Sequence, residues 1–247
     1  MIPRIIHYCW FGGKALPNKV KQNIDSWKKQ CPNYKIIQWN ENNYNISANK
    51  YTMQAYERGK YAFVTDYARL DIIQKYGGIY LDTDVELIKS LDAFLKYNSF
   101  FAMEEAGNVA TGLGFGSIKS SEIIGKLKHQ YDDQSFFDNH KENLKTCVEY
   151  SVPIFKDLGI INKDETQYFD QSRIAVFATD VFCPQSLETG KTTITSETVS
   201  IHHYDSSWKK HPRMSRYFTK YKIRIRKSID KMFGCGTYDK IKKYVKR

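Results

Sequence analysis

The chain has 247 residues, of which 41% are hydrophobic and 15% aromatic, and its formal net charge is +11. This length allows one large α/β domain or two small ones, and it is sufficient to bury a sizeable core. No stretch approaches the roughly 20 consecutive apolar residues that would span a bilayer. The apolar run at the N-terminus is too short and too polar at its end for a signal peptide. We therefore expect a globular protein without a membrane span.

The positive charge is concentrated at the C-terminal end. Residues 209–247 contain 15 of the 38 Lys and Arg residues but only two of the 27 Asp and Glu residues. The first 208 residues are consequently close to neutral, so this is a neutral body with a basic tail rather than a uniformly basic protein. We predict a globular domain over residues 1–208 and a basic helical extension over residues 209–247.

The cysteines indicate the redox environment. There are five, which is an odd number, and they are widely spread without any C-x-x-C pair. This usage is typical of reduced thiols in a cytosolic protein, and it argues against a disulfide framework or a zinc site.

Strands and helices alternate in the first half of the chain. Ile2–Trp10 is apolar and β-branched and predicts a buried first strand. Pro17 can begin a helix that Cys31 and Pro32 end, and a second strand follows at Tyr34–Trp39. The alternation predicts one α/β domain with an open, mainly parallel sheet, in which ligands bind beyond the carboxyl ends of the strands.

The second half gives weaker signals. A helix is predicted over Lys141–Tyr150, and Thr166–Phe182 has strand character. The apolar residues of Val199–Tyr204 indicate a further short strand.

The stretch TDYARLDIIQKYGGIYLDTDVE, residues 65–86, combines a helix, a Gly-Gly break and a short strand. On the helix, Asp71, Gln74 and Lys75 share one arc and predict a polar, solvent-facing side. Asp66 and Arg69 fall on the opposite, apolar arc, where a charge is costly unless it is paired or bound. The helix therefore directs two charges inward, which is typical of a functional site.

Asp82 and Asp84 follow the apolar strand at its end. Side chains two residues apart in a strand point to the same side, so both carboxylates can face one pocket. Two hard oxygen ligands suit Mg²⁺ or Mn²⁺, which usually keep waters and bind phosphate oxygens. An Asp-x-Asp pair alone also fits a polar strand-to-turn transition. Together with the inward Asp66 and Arg69, it predicts a site for a metal and a polar ligand.

Two other metal-dependent classes can be weighed against this pattern. A calcium loop beginning at Asp82 would need Gly at its sixth and Glu at its twelfth position, and Leu87 and Ala93 stand there. A phosphohydrolase with an aspartate nucleophile stays open, although Glu86 occupies the position where we would expect a hydroxyl residue or Val.

Three blocks, IPRIIHYCWFGG, TDYARLDIIQKYGGIYLDTDVE and IHHYDSSW, together closely resemble the DXD-motif glycosyltransferases of family 32, of the bacterial capsular polysaccharide type. A more distant likeness runs to the clostridial glucosylating toxins, which share the blocks in the same order. The resemblance spans Met1–Trp208, and it implies that residues 1–208 are a catalytic domain. The implied fold is a GT-A-like nucleotide-diphospho-sugar transferase fold with a central, mainly parallel mixed sheet.

The resemblance also implies an activity. It implies a retaining hexosyltransferase that uses Mn²⁺ or Mg²⁺ and a nucleotide-sugar donor, which we expect to be UDP-linked. The acceptor would be a saccharide or a lipid-linked sugar in surface polysaccharide synthesis. The alternative functions are a metal-dependent phosphohydrolase and a catalytically silent protein that binds sugar nucleotides or a membrane surface.

Carried over by position, the resemblance assigns donor contacts to the first two blocks. Trp10 resembles the aromatic residue that stacks on the base, although a core tryptophan is the alternative. Asp66 and Arg69 resemble the pair that holds the hydroxyls of the donor sugar; a structural i,i+3 ion pair is the alternative. Tyr80 resembles a donor-site contact, and a buried strand tyrosine is nearly as good a fit.

The DXD residues complete this assignment. Asp82 resembles the residue that contacts the ribose and the sugar, and Asp84 resembles the direct metal ligand. The catalytic set implied by the resemblance is thus Asp66, Arg69, Asp82 and Asp84. It implies no dedicated protein base, because an oxygen of the leaving diphosphate can take the proton of the acceptor.

The third block adds a histidine pair. Strand alternation points His202 and His203 to opposite faces, so at most one of them should reach the metal. The toxin-like spacing of this block implies His203 as a metal ligand and Ser206 as a second, weaker one; the alternative is that His203 is the structural histidine of the pair and His202 faces the metal. Trp208 would then cap the site and contact the diphosphate.

The Gly-rich segment GNVATGLGFGS resembles the acceptor-side and sugar-binding loop of the family. Its glycines would let the backbone approach a ligand closely. Glu105 and Asn108 are the acceptor-side candidates there, and a plain surface loop fits either residue equally well.

The basic tail places Tyr217, Tyr221, Ile225 and Ile229 at four-residue intervals among Lys and Arg. Such a segment suits an anionic membrane surface, and the alternative is a solvated helix packed by its apolar edge. No nucleic-acid motif accompanies the cations, so we expect no nucleic-acid partner. We expect a cytoplasmic protein, peripheral at the inner face of the cytoplasmic membrane.

Overall fold

The computed structural model describes residues 1–186 and 189–205, and eight single positions between 221 and 241. Met1–Pro184 and Thr193–Tyr204 form one compact unit, which contains every strand and helix labelled below. The other unit comprises Gln185–Thr192 and Asp205–Arg247. In that unit the eight single positions are helical, and the other residues of the predicted basic extension lie outside the described residues. The domain boundary at residue 208 stays a prediction.

The regular elements of the larger unit are short strands and helices of moderate length. The strands are β1 (Ile5–Cys9), β2 (Lys35–Trp39), β3 (Gly78–Tyr80), β4 (Val85–Leu87), β5 (Ser99–Glu105), β6 (Asn108–Val109), β7 (Phe115–Ser117), β8 (Phe137–Asp138), β9 (Lys141–Glu142), β10 (Gln167–Phe169), β11 (Ile174–Phe177) and β12 (Ser200–His202). The helices are α1 (Asn18–Gln30), α2 (Lys50–Glu57), α3 (Tyr61–Tyr76), α4 (Glu122–His129), α5 (Cys147–Leu158) and α6 (Thr179–Phe182). Among the described residues, no helix is long and apolar enough to cross a membrane.

The central sheet has the strand order β10-β11-β5-β7-β3-β1-β2, and β6 pairs with β5 outside this path. β1 is parallel to β2 and β3, and β11 is parallel to β5. β7 lies antiparallel between β3 and β5, so β1, β2, β3, β5 and β11 all run in one direction. The predicted α/β class with a mainly parallel mixed sheet is confirmed. This is the central sheet of the GT-A-like fold that the resemblance implies.

Successive side chains of each strand point to opposite faces of the sheet. Apolar residues therefore lie on both faces, and helices cover both. In β1, Ile6 and Tyr8 join one buried cluster, which also contains Trp27 of α1 and residues of α6. Cys9 belongs to the cluster on the other face, together with Ala68 of α3 and residues of α2, α4 and α5. Full burial of one large apolar side chain contributes about 1.5–3 kcal/mol, so these two layers provide most of the driving force for folding.

Helix α1 begins after Pro17 and ends at Gln30 before Cys31, as predicted. It holds the segment that connects β3 to β4. Asn23 Nδ2 donates a hydrogen bond to the Thr83 carbonyl at 2.8 Å, and Trp27 Nε1 donates to the Val85 carbonyl at 2.8 Å. The backbone of the DXD motif is therefore anchored to a helix on the far face of the sheet.

His7 in β1 is a core histidine whose two ring nitrogens both have partners. Trp39 Nε1 donates to its Nδ1 at 3.0 Å, and its Nε2 lies 3.0 Å from the Gly77 carbonyl. Because Nδ1 accepts, the proton lies on Nε2 and the ring is neutral. Burial lowers the pKa of His7 to about 4. This ring secures the Gly77-Gly78 turn, where φ values of 65° and 105° suit glycine.

Helix α3 is buried on almost all sides. The polar side predicted for Asp71 is wrong, since Asp71 is only 2% exposed. Helix α4 covers this side of α3, and Lys128 of α4 reaches one oxygen of Asp71 at 3.0 Å. Lys75 reaches the other oxygen at 2.7 Å. Two cations thus compensate the buried carboxylate.

Two predicted elements of the second half are wrong in their bounds. The predicted helix over Lys141–Tyr150 begins later, because Lys141–Glu142 forms strand β9 of a small hairpin. Helix α5 starts after Thr146, which makes a capping box with Glu149. The predicted strand region 166–182 contains two strands and ends in the short helix α6.

The described cysteines are unpaired. Cys9, Cys31, Cys147 and Cys183 are all free thiols, in agreement with the prediction, and Cys235 lies outside the described residues.

Candidate active site

The carboxylates of the DXD motif lie beyond the end of β3, next to the end of its parallel neighbour β1. Strand β12 pairs antiparallel with β4, and this register sets His202 opposite Val85. His202 Nε2 therefore lies 3.2 Å from Asp84 Oδ1. One ligand atom each from Asp82, Asp84 and His202 lies within 4.8 Å of the others. The fold thus joins two residues of the second sequence block to one residue from the third.

The chemistry of this cluster fits a divalent cation. Burial raises the pKa of Asp82, Arg69 lowers it and the charge of Asp84 raises it, with a net increase. Burial lowers the pKa of His202, but the adjacent Asp84 raises it, and the net shift is upward. Burial is thus the first cause of the higher pKa of Asp82, with Asp84 adding to it, whereas the neighbouring carboxylates cause the higher pKa of His202. A cation held by the two carboxylates and the imidazole would supply that charge.

A second group of charges adjoins the cluster. Arg69 Nη2 lies 2.8 Å from Asp66 Oδ1 and 3.6 Å from Asp82 Oδ1. The side chain of Arg69 is only 4% exposed, and its guanidinium lies 5.2 Å from the centre of the Tyr80 ring. The Tyr80 hydroxyl donates a hydrogen bond to Asp82 Oδ1 at 2.8 Å. Asp66 and Arg69 point inward, as predicted, and Arg69 connects them to the DXD motif.

The protonation of Asp66 is sensitive to this arrangement. Burial raises its pKa and Arg69 lowers it, whereas the charge of Asp82 raises it; the resulting pKa is about 6. At neutral pH the carboxylate is therefore mostly ionised although it is buried, and it can accept hydrogen bonds from a ligand.

The Gly-rich segment approaches the same carboxylates. A Cβ atom at Gly112 would lie 2.5 Å from Asp82 Oδ2 and 3.2 Å from Arg69 Nη1. Arg69 Nη1 also donates a hydrogen bond to Thr111 Oγ1 at 3.4 Å. The backbone of this segment lies against the DXD motif, and its predicted close approach to a ligand stays a prediction.

The predicted metal ligand of the histidine pair needs correction. His203 Nε2 lies 2.9 Å from Glu86 Oε2, whereas His202 lies beside Asp84. The alternation of side chains was correct, but the register of β12 against β4 turns the first histidine toward the cluster. Spacing within the block could not reveal this register. Ser206 and Trp208 lie outside the described residues, so their roles stay predictions.

Other predicted contacts are positioned at the same end of the strands. Trp10 follows β1, is half-buried, and donates a hydrogen bond from Nε1 to the Lys14 carbonyl at 2.6 Å. Glu105 and Asn108 are partners in the β5–β6 turn, and both are half-buried. No contact in the structure tests the base-stacking or acceptor roles of these three residues, which stay predictions.

Sequence reasoning missed part of the surroundings of His202. Glu104 and Tyr204 share a side-chain hydrogen bond, and the Tyr204 hydroxyl lies 2.8 Å from Cys183 Sγ. The three residues are 21 to 100 positions apart, and none belongs to a recognisable spacing. Of the three, only Tyr204 could have been linked to the site from the sequence, because it directly follows the histidine pair.

Comparison with known proteins agrees with this site. Residues 17–101 match a family described as the glycosyltransferase sugar-binding region containing a DXD motif. The chain is similar to DXD-containing glycosyltransferases. The matched segment contains Asp66, Arg69, Asp82 and Asp84, whereas His202 lies beyond it. The narrower likenesses to capsular polysaccharide enzymes and glucosylating toxins stay predictions.

Individual relatives are also glycosyltransferases by name. The chain is 28% identical over 163 residues, 64% of each sequence, to an uncharacterised glycosyltransferase of Acanthamoeba polyphaga mimivirus. It is 28% identical over 123 residues, 46% of this chain and 33% of the relative, to inositol phosphoceramide mannosyltransferase 3 of Schizosaccharomyces pombe. The chain thus spans less than two thirds of the length of each.

One solved structure covers more of the chain. A glycosyltransferase involved in glycosylation of the major capsid of PBCV-1 superposes on 89% of this chain and 100% of its own, with 12% identity and a TM-score of 0.49.

Proposed function

We propose that this protein is a metal-dependent, retaining glycosyltransferase. It transfers a sugar from a UDP-linked donor to a saccharide or lipid-linked acceptor in surface polysaccharide synthesis. One observation carries the proposal: Asp82, Asp84 and His202 meet directly beside the buried Asp66–Arg69 pair, at the ends of strands β1 and β3. A metal-ligand set next to a fixed cation and carboxylate suits a sugar diphosphate, which presents both phosphates and hydroxyls.

Asp84 and His202 would hold Mn²⁺ or Mg²⁺ together with Asp82, and the predicted Ser206 would be a further ligand. The imidazole favours Mn²⁺, because Mg²⁺ prefers an all-oxygen shell. When bound, the cation neutralises charge that develops on the leaving diphosphate. Tyr80 and Arg69 hold Asp82 in place from the other side.

The ion pair of Asp66 and Arg69 provides the proposed contacts with the donor sugar. Arg69 lies between two carboxylates and cannot rotate away without leaving both unpaired. Asp66 accepts hydrogen bonds from donor sugar hydroxyls, and Arg69 orients the sugar and supports the negative charge of the leaving group. Trp10 stacks on the base, and Trp208 closes over the diphosphate.

The proposed reaction requires no dedicated protein base. The bond between the anomeric carbon and the diphosphate oxygen breaks as the acceptor oxygen bonds to the same carbon on the same face. The proton of the acceptor hydroxyl moves to an oxygen of the departing diphosphate. The chain supplies orientation and electrostatic stabilisation, which are the main contributions available to such a step.

The acceptor is the least constrained part of the proposal. The relative named as an inositol phosphoceramide mannosyltransferase favours a lipid-linked acceptor and makes mannose a donor sugar to test alongside UDP-sugars. Glu105 and Asn108 are the proposed acceptor-side residues, since they lie in a turn at the end of β5.

We propose further that the protein acts at the inner face of the cytoplasmic membrane through its basic tail. Each Lys or Arg near an anionic surface contributes about 1 kcal/mol. Truncation after Trp208 should lower cosedimentation with vesicles containing anionic lipid, and should leave cosedimentation with neutral vesicles unchanged. Equal sedimentation of the full and truncated chains with anionic vesicles would contradict the membrane role.

The activity is tested by incubating the protein with UDP- and GDP-sugars and measuring nucleotide release with Mn²⁺, Mg²⁺ or chelator. We expect one donor to be turned over, dependence on the metal, and a loss of about 100-fold or more in Asp84→Asn. Asp170→Asn, on the exposed surface, is the matched control and should retain full activity.

The alternatives give different outcomes in the same assay. A phosphohydrolase would release phosphate from simple phosphate esters, and it would not require the sugar. A silent binding protein would bind a nucleotide sugar without turnover. Unchanged activity in Asp84→Asn would contradict the proposed metal site.

A further inference from the structure

The two ring nitrogens of His202 have different surroundings. Its Nε2 faces Asp84, but its Nδ1 is buried without a hydrogen-bond partner within the described part of the chain. Metal-ligating histidines usually donate the second ring nitrogen to a carboxylate or carbonyl, which sets the orientation of the ring. That hydrogen bond is missing from the described surroundings of His202, where a second contact to the imidazole is made by an aromatic ring.

The contact is the ring of Tyr204. The two ring centroids are 4.2 Å apart with an interplanar angle of 86°, which is a close edge-to-face arrangement. Such a pair is worth about 0.5–1.5 kcal/mol beyond the area that it buries. The perpendicular ring restricts rotation of the imidazole and thereby keeps Nε2 directed at Asp84.

Tyr204 is itself anchored from two other segments. Its hydroxyl lies 2.8 Å from Cys183 Sγ, just after α6, and shares a hydrogen bond with Glu104 of β5. The hydroxyl thus has a partner in each of these two segments, and in its contact with Cys183 either atom can be the donor. Tyr204 also has a φ of 52°, an uncommon value for a residue other than glycine.

We propose that Tyr204 is a positioning residue for the metal site: its ring orients His202, and its hydroxyl, bound by Glu104 and Cys183, holds the ring in place. The proposal rests on the proposed function, because it assigns His202 as a ligand. It adds to the groups that set metal affinity three residues, which lie in β5, directly after α6 and shortly after β12. None of the three belongs to the proposed ligand set.

The test measures Mn²⁺ affinity rather than turnover. Mn²⁺ is titrated into the full chain, and free Mn²⁺ is followed by its electron paramagnetic resonance signal. Tyr204→Leu removes the ring and should weaken Mn²⁺ binding by about 10- to 100-fold. Tyr204→Phe retains the ring but releases its anchor, and should lie between wild type and Tyr204→Leu. Tyr168→Leu, at a tyrosine that is 58% exposed, is the control and should bind as wild type does.

Circular dichroism at the titration temperature separates folding from positioning. A folded Tyr204→Leu variant with wild-type affinity would overturn the proposal, and a Tyr204→Phe variant with wild-type affinity would overturn its anchoring half. Should Tyr204→Leu fail to fold, the Tyr204→Phe and Glu104→Gln variants decide, since both preserve the ring and weaken its anchor. A wild-type chain that binds neither Mn²⁺ nor any nucleotide sugar would overturn the proposed function and this inference together. If the wild-type chain binds Mn²⁺ and the Tyr204 variants bind it equally well, only the positioning role of Tyr204 is overturned.

Discussion

Arg69 is the residue on which the charged part of the site depends. Its guanidinium is almost completely buried, and it compensates Asp66 and Asp82 at once. Lysine could not replace it well, because a single ammonium cannot reproduce the planar fork that reaches both carboxylates. Its position also explains why two charges occupy the apolar side of α3: they pair with each other and with the strand that follows.

Replacement of Arg69 tests this dependence. Arg69→Met should lower the free energy of unfolding by about 3–5 kcal/mol, because it leaves the buried Asp66 and the half-buried Asp82 without this cation. Arg4→Met is the control, since Arg4 pairs with Asp92 at side chains that are 54% and 56% exposed. It should cost no more than about 1 kcal/mol. Urea unfolding at pH 7 measures both, and similar losses in the two variants would contradict the buried network.

For the histidine pair, the local sequence determines that the two side chains point to opposite faces, but not which of them faces Asp84. Alternation correctly places His202 and His203 on opposite faces of a strand. Which of them faces Asp84 depends on the pairing of Ser200 with Leu87 and His202 with Val85. That pairing joins segments more than 100 residues apart, so no local pattern contains it.

At the level of elements, the early helices and strands were predictable because their signals are local. Pro17 marks the start of α1, and apolar β-branched runs mark β1 and β2. The prediction failed for Asp71 because α4 covers a side of α3 that looks polar in sequence. The Lys141–Tyr150 region failed because a short hairpin precedes the capping residue Thr146.

The loop between β6 and β7 illustrates a partly predictable element. Its glycines predicted a close approach of the backbone to a ligand, and in the structure Gly112 lies against Asp82. Its target could not be read from the sequence, because the loop reaches α3 and the DXD motif through the sheet pairing of β7 with β3. The glycine-rich loop can be recognised from neighbouring residues in the sequence. Its contact with Asp82 depends on the order of the strands in the sheet.

For the whole molecule, three distant sequence blocks pointed to one site. The structure brings the second and third together, since Asp82 and Asp84 meet His202 across the β4–β12 pair. Trp10 of the first block lies at the end of β1, beside β3 in the same sheet. The residues after 205 include the predicted Ser206 and Trp208, so this part of the site stays a prediction.

The cluster of Asp82, Asp84 and His202 is the central claim, and Mn²⁺ affinity in the presence of UDP tests it most directly. His202→Ala and Asp84→Asn should each weaken Mn²⁺ binding by about 10-fold or more, because each removes one proposed ligand. His203→Ala is the matched control, because that imidazole contacts Glu86 instead. The account predicts wild-type affinity for His203→Ala. Loss of binding in His203→Ala with unchanged binding in His202→Ala would contradict it.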